Sequence, residues 1–281
     1  MIKMNKKQIK SKSLKGLLLG GVLACSSFVG GCDMIEYHPY DLDIHGSTHL
    51  NETNIELIEK ATQGKKEIKF IVISDTQRWY DETEKAVDFI NTKNDIDFVL
   101  HTGDISDFGL KLEFVKQRDI MQRLKVPFVT IIGNHDCLGT GPDVFNIIFG
   151  EKDFSFDAGD VHFVCINTNG LEFDRSEEVP NLTFIGENLK TVKPHIKKTV
   201  AAMHAGPHSD QFYGGVVTVF HEAMKLFPGY QFGVYGHGHS TNVDEFFNDG
   251  IFYYECACAK KREILCFTIN EEGYKYEVLN Y

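Results

Sequence analysis

Five apolar segments in this chain each run directly into a polar tip whose side chains can ligate a metal. The runs are Ile68–Ile73, Asp97–Leu100, Pro127–Ile132, Thr199–Met203 and Tyr230–Tyr235. The tips are Asp75-Thr76-Gln77, Gly103-Asp104, Gly133-Asn134-His135-Asp136, His204 and Gly236-His237-Gly238-His239. Short segments rich in Val, Ile and Phe favour strands, and in an open α/β sheet ligands bind beyond the carboxyl ends of the strands. The tips therefore predict one shared site. Carboxylates, imidazoles and amides brought together suit a pair of divalent metals.

Between the tips the pattern alternates. A short amphipathic helix is predicted over Ile55–Ala61, a strand within Lys65–Gln77, and a helix over Asp81–Lys93 with Asp81 as its N-cap. A strand within Ile96–Asp104, a helix over Leu110–Leu124 and a strand within Val126–Asp136 follow. The first three tips lie 29 and 30 residues apart, the length of a βαβ unit. Phe154–Asn167 then reads as a hairpin turned at Ala158-Gly159-Asp160, Leu171–Leu182 as a loop, Asn188–Lys197 as a short helix and Val216–Leu226 as another. From Val243 to Tyr281 only strand-like segments and turn signals appear, which predicts a second sheet packed beside the first.

The N-terminus reads as a targeting segment. Met1–Lys15 carries six lysines and no acid, and a short apolar run, Gly16–Ala24, follows. Two junctions, Val22-Leu23-Ala24-Cys25 and Val29-Gly30-Gly31-Cys32, resemble the lipobox of bacterial lipoproteins. Cys32 is preferred, because it leaves a fuller apolar run and is followed by a polar stretch. An ordinary cleaved signal is the alternative. The expected organisation is a signal peptide over 1–31, a tether over 32–50 and one domain over 51–281, with the mature protein lipid-anchored in a bacterial cell envelope.

The whole chain has 29 basic and 40 acidic residues; without the six leader lysines, 23 face 40 and the net charge is -17. Such a surface is a poor non-specific nucleic-acid binder. Five cysteines remain after Cys25 and Cys32: Cys137, Cys165, Cys256, Cys258 and Cys266. That odd number excludes a complete intrachain disulfide framework. Cys256 and Cys258, two apart in a strand-like run, are expected to face one side of a sheet as small core residues.

In their order, the tips resemble the signature of the calcineurin-like metallophosphoesterase family: D-x-H, G-D-x-x-D, G-N-H-D/E, a lone His, then G-H-x-H. The resemblance covers Lys65 to about His239 and implies a two-sheet α/β sandwich flanked by helices, layered αββα. It implies that Asp75 and His239 hold a first metal, Asp104 bridges, and Asn134, His204 and His237 hold a second. It also implies His135 as general acid, oriented by Asp107. Two divalent ions (Mn, Fe or Zn) would neutralise a phosphate and acidify a bridging water, giving hydroxide for in-line attack. Glycines before Asp104, Asn134, His237 and His239 are expected to let the backbone turn sharply.

One position departs from the signature. Gln77 stands where the family has His. Its amide oxygen can ligate, though more weakly than imidazole; alternatively it only hydrogen-bonds a metal-bound water. Arg78 and Trp79 follow the first tip as candidate substrate contacts, and His208 could reach the site from the loop after His204. His101, His162 and Cys137 read as packing residues. The expected function is metal-dependent hydrolysis of phosphate esters. The alternatives are an envelope-anchored metal-binding lipoprotein without turnover, or a nuclease or phosphodiesterase of the same fold.

Overall fold

The structure, a computed structural model, describes residues 38, 40–173 and 177–281. The expected signal peptide and both candidate lipidation cysteines, Cys25 and Cys32, lie outside the described residues. All elements below fall within Leu42–Tyr281.

In chain order these are α1 (Leu50–Thr62), β1 (Ile68–Ile73), α2 (Tyr80–Ile90), β2 (Phe98–His101), α3 (Lys111–Met121), β3 (Phe128–Thr130) and α4 (Gly141–Ile148). Then come β4 (Phe154–Ala158), β5 (Val161–Ile166), α5 (Leu182–Thr191), β6 (Lys198–Met203), α6 (Gly215–Met224) and β7 (Tyr230–Tyr235). The C-terminal part holds β8 (Asn242–Asp244), β9 (Phe252–Glu255), β10 (Glu263–Asn270) and β11 (Gly273–Asn280). They build two sheets, ordered β11-β10-β1-β2-β3 and β4-β5-β6-β7-β9-β8.

Side-chain alternation explains the layering. Along β1, Phe70 and Val72 enter the core between the sheets, while Ile71 and Ile73 face the helices. The inter-sheet core is dominated by phenylalanines: Phe70 stacks on Phe98 at 5.1 Å and meets Phe163 edge-on at 5.2 Å. Each fully buried Phe contributes roughly 1.5–3 kcal/mol. Outside the first sheet, Val87, Phe114 and Phe145 of α2, α3 and α4 close the second core. Outside the second sheet, Ile185 of α5 and Phe220 of α6 close the third. This is the expected αββα sandwich.

Several boundaries differ from the sequence reading. Trp79, not Asp81, occupies the cap of α2, and Asp81 sits in its first turn. The helix expected over Asn188–Lys197 is α5, which starts earlier because Asn181 accepts the Phe184 amide at 2.8 Å and caps it. Helix α4, with Pro142 in its first turn, was not anticipated. The C-terminal strands divide: β8 and β9 extend the second sheet, but β10 pairs antiparallel with β1 and carries β11 with it. Strand β9 ends at Glu255, so the alternation expected to align Cys256 and Cys258 stops before them; both are buried. The five described cysteines are free.

The expected tether overlaps the folded domain. Arg118, with 4% of its side chain exposed, donates to the carbonyls of His45 at 2.8 Å and Ser47 at 3.2 Å. The Gln122 amide donates to Ser47 Oγ at 2.9 Å, and the His49 amide to the Ile147 carbonyl at 3.1 Å. Residues 43–49 are thereby fastened to α3 and to the end of α4.

Candidate metal centre

The five tips meet at the carboxyl ends of β1, β2, β3, β6 and β7. Backbone bonds lace them together: the Asp75 amide donates to the Gly103 carbonyl, Gln77 to Asp104, and Gly236 to His204. The close fit sets the roles of the glycines. Only Gly103 of the four takes a left-handed backbone, with φ 101°. A Cβ on Gly133 would lie 2.1 Å from the Asp104 amide nitrogen, and one on Gly236 would lie 1.9 Å from Ser74 Oγ. These two glycines allow approach, not turning. The turn falls on the functional residues themselves: Asp75, Asp104, His237 and His239 have φ of 50°, 58°, 70° and 62°.

Asp75, Asp104 and His204 are buried, and their ligand atoms lie within 4.8 Å of one another. His204 Nδ1–H donates to the Thr102 carbonyl at 2.8 Å, so its Nε2 lone pair faces inward. His237 Nε2–H donates to Asp210 Oδ1 at 2.7 Å, which leaves Nδ1 facing inward. Both inward nitrogens meet Asn134 Oδ1, at 2.9 Å and 3.0 Å. Three acceptors without a proton between them form the donor set of a cation. Burial pushes the His204 pKa down to about 4, which keeps that nitrogen unprotonated near neutral pH.

The other half is looser. Asp75 Oδ1 is buried without a hydrogen bond, with His239 Nε2 3.2 Å away. Gln77 donates Nε2–H to Asp104 Oδ2 at 3.2 Å, and its Oε1 is buried with no partner. Orphaned buried oxygens cost free energy unless something satisfies them, and a cation does so. The two carboxylates diverge. Burial, then Asp75 and Asp136 beside it, raise Asp104 well above the usual range. Burial alone would raise Asp75 too, but His239, His204 and Ser74 outweigh it and hold Asp75 below its ordinary value. The residues present fit divalent metal.

His135 sits at the rim. Its amide donates to Asp104 Oδ1 at 3.0 Å, and its Nδ1–H donates to the Asp107 carbonyl at 2.8 Å. The Asp107 carboxylate lies 3.7 Å from Nδ1 and is paired with Arg78. Asp107 thus reaches His135 through its backbone rather than its carboxylate. Trp79 is half-buried under Lys260 Nζ, 5.1 Å from its ring. His208 is exposed and leans on Phe246 at 5.6 Å; with His237, Tyr235 and Glu255 it lines a cavity of about 230 Å³. Buried His101 accepts from the Gly103 amide and bonds Thr76 Oγ1, and His162 bridges Asp157 and Asn188.

Asp210 and Glu255 escaped the sequence reading, and Asp136 stood in the third tip without an assigned role. Asp210 backs His237 from the loop after His204. Asp136 gathers the amides of Gly133, Ile105 and Ser106 and the Ser106 hydroxyl, stapling the second tip to the third. Glu255 borders the last tip, where burial pushes its pKa up to about 7. A search for carboxylates able to orient the histidine ligands would have found Asp210.

A curated relative, the DNA double-strand break repair protein Mre11 of Sulfolobus acidocaldarius, is 25% identical over 178 residues, 59% of this chain and 44% of that protein. The match therefore spans less than half of the relative's length. GAP50, the anchor in the inner membrane complex of Plasmodium, superimposes with a TM-score of 0.60 at 12% identity, covering 77% of this chain and 85% of that one. A dimetal phosphatase from Danio rerio gives 0.59 at 12% identity over 76% and 99%. At these identities the solved structures share the fold. The family model for calcineurin-like phosphoesterases matches residues 68–241, a span that contains every tip, and the chain belongs to that family of metal-dependent phosphate-ester hydrolases.

Proposed function

We propose that the centre holds two divalent cations and that the chain hydrolyses phosphate esters with His135 as general acid. The observation that carries this reading is the convergence of Asn134 Oδ1, His204 Nε2 and His237 Nδ1 beside two buried carboxylates. Asp75, His239 and Gln77 would hold one ion (Mn, Fe or Zn), Asn134, His204 and His237 the other, and Asp104 both. When bound, the ions would supply positive charge against the phosphoryl oxygens and a more acidic water for attack.

The protein's own groups complete the chemistry. His135 is anchored through Nδ1, so Nε2 is the atom left to pass a proton to the leaving oxygen. The Asp107 carbonyl orients the ring, while the carboxylate of the same residue is paired with Arg78. We assign Arg78, Trp79 and His208 as substrate contacts: Arg78 pairs with Asp107 next to His135, Trp79 follows Arg78 in the chain, and His208 lines a cavity with His237. The acidic chain opposes tracking along nucleic acid, so the DNA role of the Mre11 relative is not carried over. We further propose that Cys32 carries lipid and holds the enzyme on a bacterial envelope membrane; Cys32→Ser should abolish fatty-acid labelling, and labelling lost only in Cys25→Ser would move the lipid to Cys25.

Chelated and Mn-reconstituted protein should differ sharply on a chromogenic phosphate ester. Equal activity in both, with loss of metal verified, would overturn the proposal.

A further inference from the structure

The two sheets have terminal strands β11, β3, β4 and β8, and they are treated unequally. Helix α1 blocks two of them with side chains. Asn51 exchanges hydrogen bonds with both the carbonyl and the amide of Thr130, and Asn54 donates to the Phe128 carbonyl, so β3 meets amides in place of a further strand. On β4, Glu59 accepts the Asp157 amide, and beside its end Thr62 accepts the Gly159 amide. Strand β8 has only three residues. Strand β11 has eight, and among the described residues nothing pairs with its outer side. A long open edge is a template for another strand.

The outer side of β11 has a definite pattern. The hairpin from β10 closes through Glu271 and Glu272, with Asn270 opposite Gly273. Antiparallel pairs alternate between hydrogen-bonded and non-bonded, so residues 273, 275, 277 and 279 turn their backbone groups toward β10. Tyr274, Tyr276, Val278 and Asn280 turn theirs outward. Tyr276 and Val278 are each 40% exposed, and Tyr276 packs inward against Tyr254 at 4.6 Å.

We propose that β11 pairs antiparallel with β11 of a second copy of this chain, across a two-fold axis at Tyr276. Centred there, Tyr276 meets its own copy as a hydrogen-bonded pair, and Tyr274 faces Val278 on both sides of the axis. Lys275 then stands opposite Glu277 twice over, in the non-bonded positions where facing side chains come closest. Opposite charges directly across strands attract and like charges repel. The Lys-x-Glu spacing around Tyr276 makes the edge self-complementary, as a two-fold contact requires. The two five-stranded sheets join into one.

Light scattering on the purified protein across a dilution series tests this. The wild type should show about twice the mass of one chain. Lys275→Glu puts Glu against Glu on both sides of the axis and should yield monomers. Lys275→Glu combined with Glu277→Lys restores opposite charges and should restore the dimer. Phosphoesterase activity per chain, read at a centre that β11 does not touch, reports that each variant is folded. A wild type that is monomeric at every concentration overturns the proposal, as does a dimer that survives Lys275→Glu or fails to return in the charge swap.

Discussion

The two halves of the metal centre are built to different tolerances. Around Asn134, each imidazole is locked from behind, His204 by the Thr102 carbonyl and His237 by Asp210. Around Asp75, the His239 side chain is 52% exposed, and among the described residues no group holds its second nitrogen. Gln77 adds a weaker donor with an unpartnered oxygen. The Asn134 half is held by hydrogen bonds from behind its ligands, and the Asp75 half has fewer such supports. Affinity should follow preorganisation.

The contrast can be broken at its shared point first. Asp104→Ala removes the carboxylate common to both halves, so calorimetry should record weaker binding of both ions, by more than the roughly 10–100-fold that loss of a supporting residue costs. If only one ion weakens, Asp104 does not bridge. His135→Ala should leave metal content at wild-type level while turnover falls by roughly 10²–10⁴-fold; loss of metal in that variant would mean His135 is a ligand. Asp210→Ala frees the back of the His237 ring and should weaken the Asn134 half by about 10–100-fold while sparing the other. An equal effect on both ions would dissolve the distinction drawn here.

Acid should separate the halves without mutation. The Asp75 carboxylate, 3.2 Å from His239 Nε2, raises the His239 pKa above its ordinary 6.5, so a proton competes with metal there as pH falls toward and below that value. Burial drives His204 down to about 4, so its nitrogen stays available until far lower pH. Metal analysis across a pH series should show the Asp75 half emptying first; simultaneous loss would refute the assignment. The smallest expected effect is Gln77→His, which should raise affinity for Zn in that half alone, and unchanged affinity would remove Gln77 from the ligand set.

The tips were legible because each follows an apolar run whose strand character is local. Asp75, Asp104, Asn134, His204, His237 and His239 all lie where a strand must end. Asp210 and Glu255 were not legible in that way, nor was the role of Asp136 within its tip. Their roles depend on which loop lies against which, and no periodicity records it. The same limit governs the C-terminus: composition marks strand-like segments from Val243 to Tyr281 but not the pairing of β10 with β1. Helix α1 was read from its apolar face, while the asparagines that seal β3 resemble any polar residues on a helix surface.

The left-handed backbones of Asp75, Asp104, His237 and His239 have a consequence for the protein's abundance in a cell. Each costs roughly 1–2 kcal/mol in a non-glycine residue, against a typical total stability of about 5–15 kcal/mol. Asp104, buried beside Asp75 and pushed well above the usual carboxylate range, adds to the burden. Asn, uncharged and tolerant of this backbone region, should therefore make metal-free Asp104→Asn melt higher than the metal-free wild type. The proposed ions, binding only the folded chain, would stabilise it by mass action. Metal supply would then set how many copies escape proteolysis as well as how fast each one turns over, and starvation would remove the enzyme along with its activity.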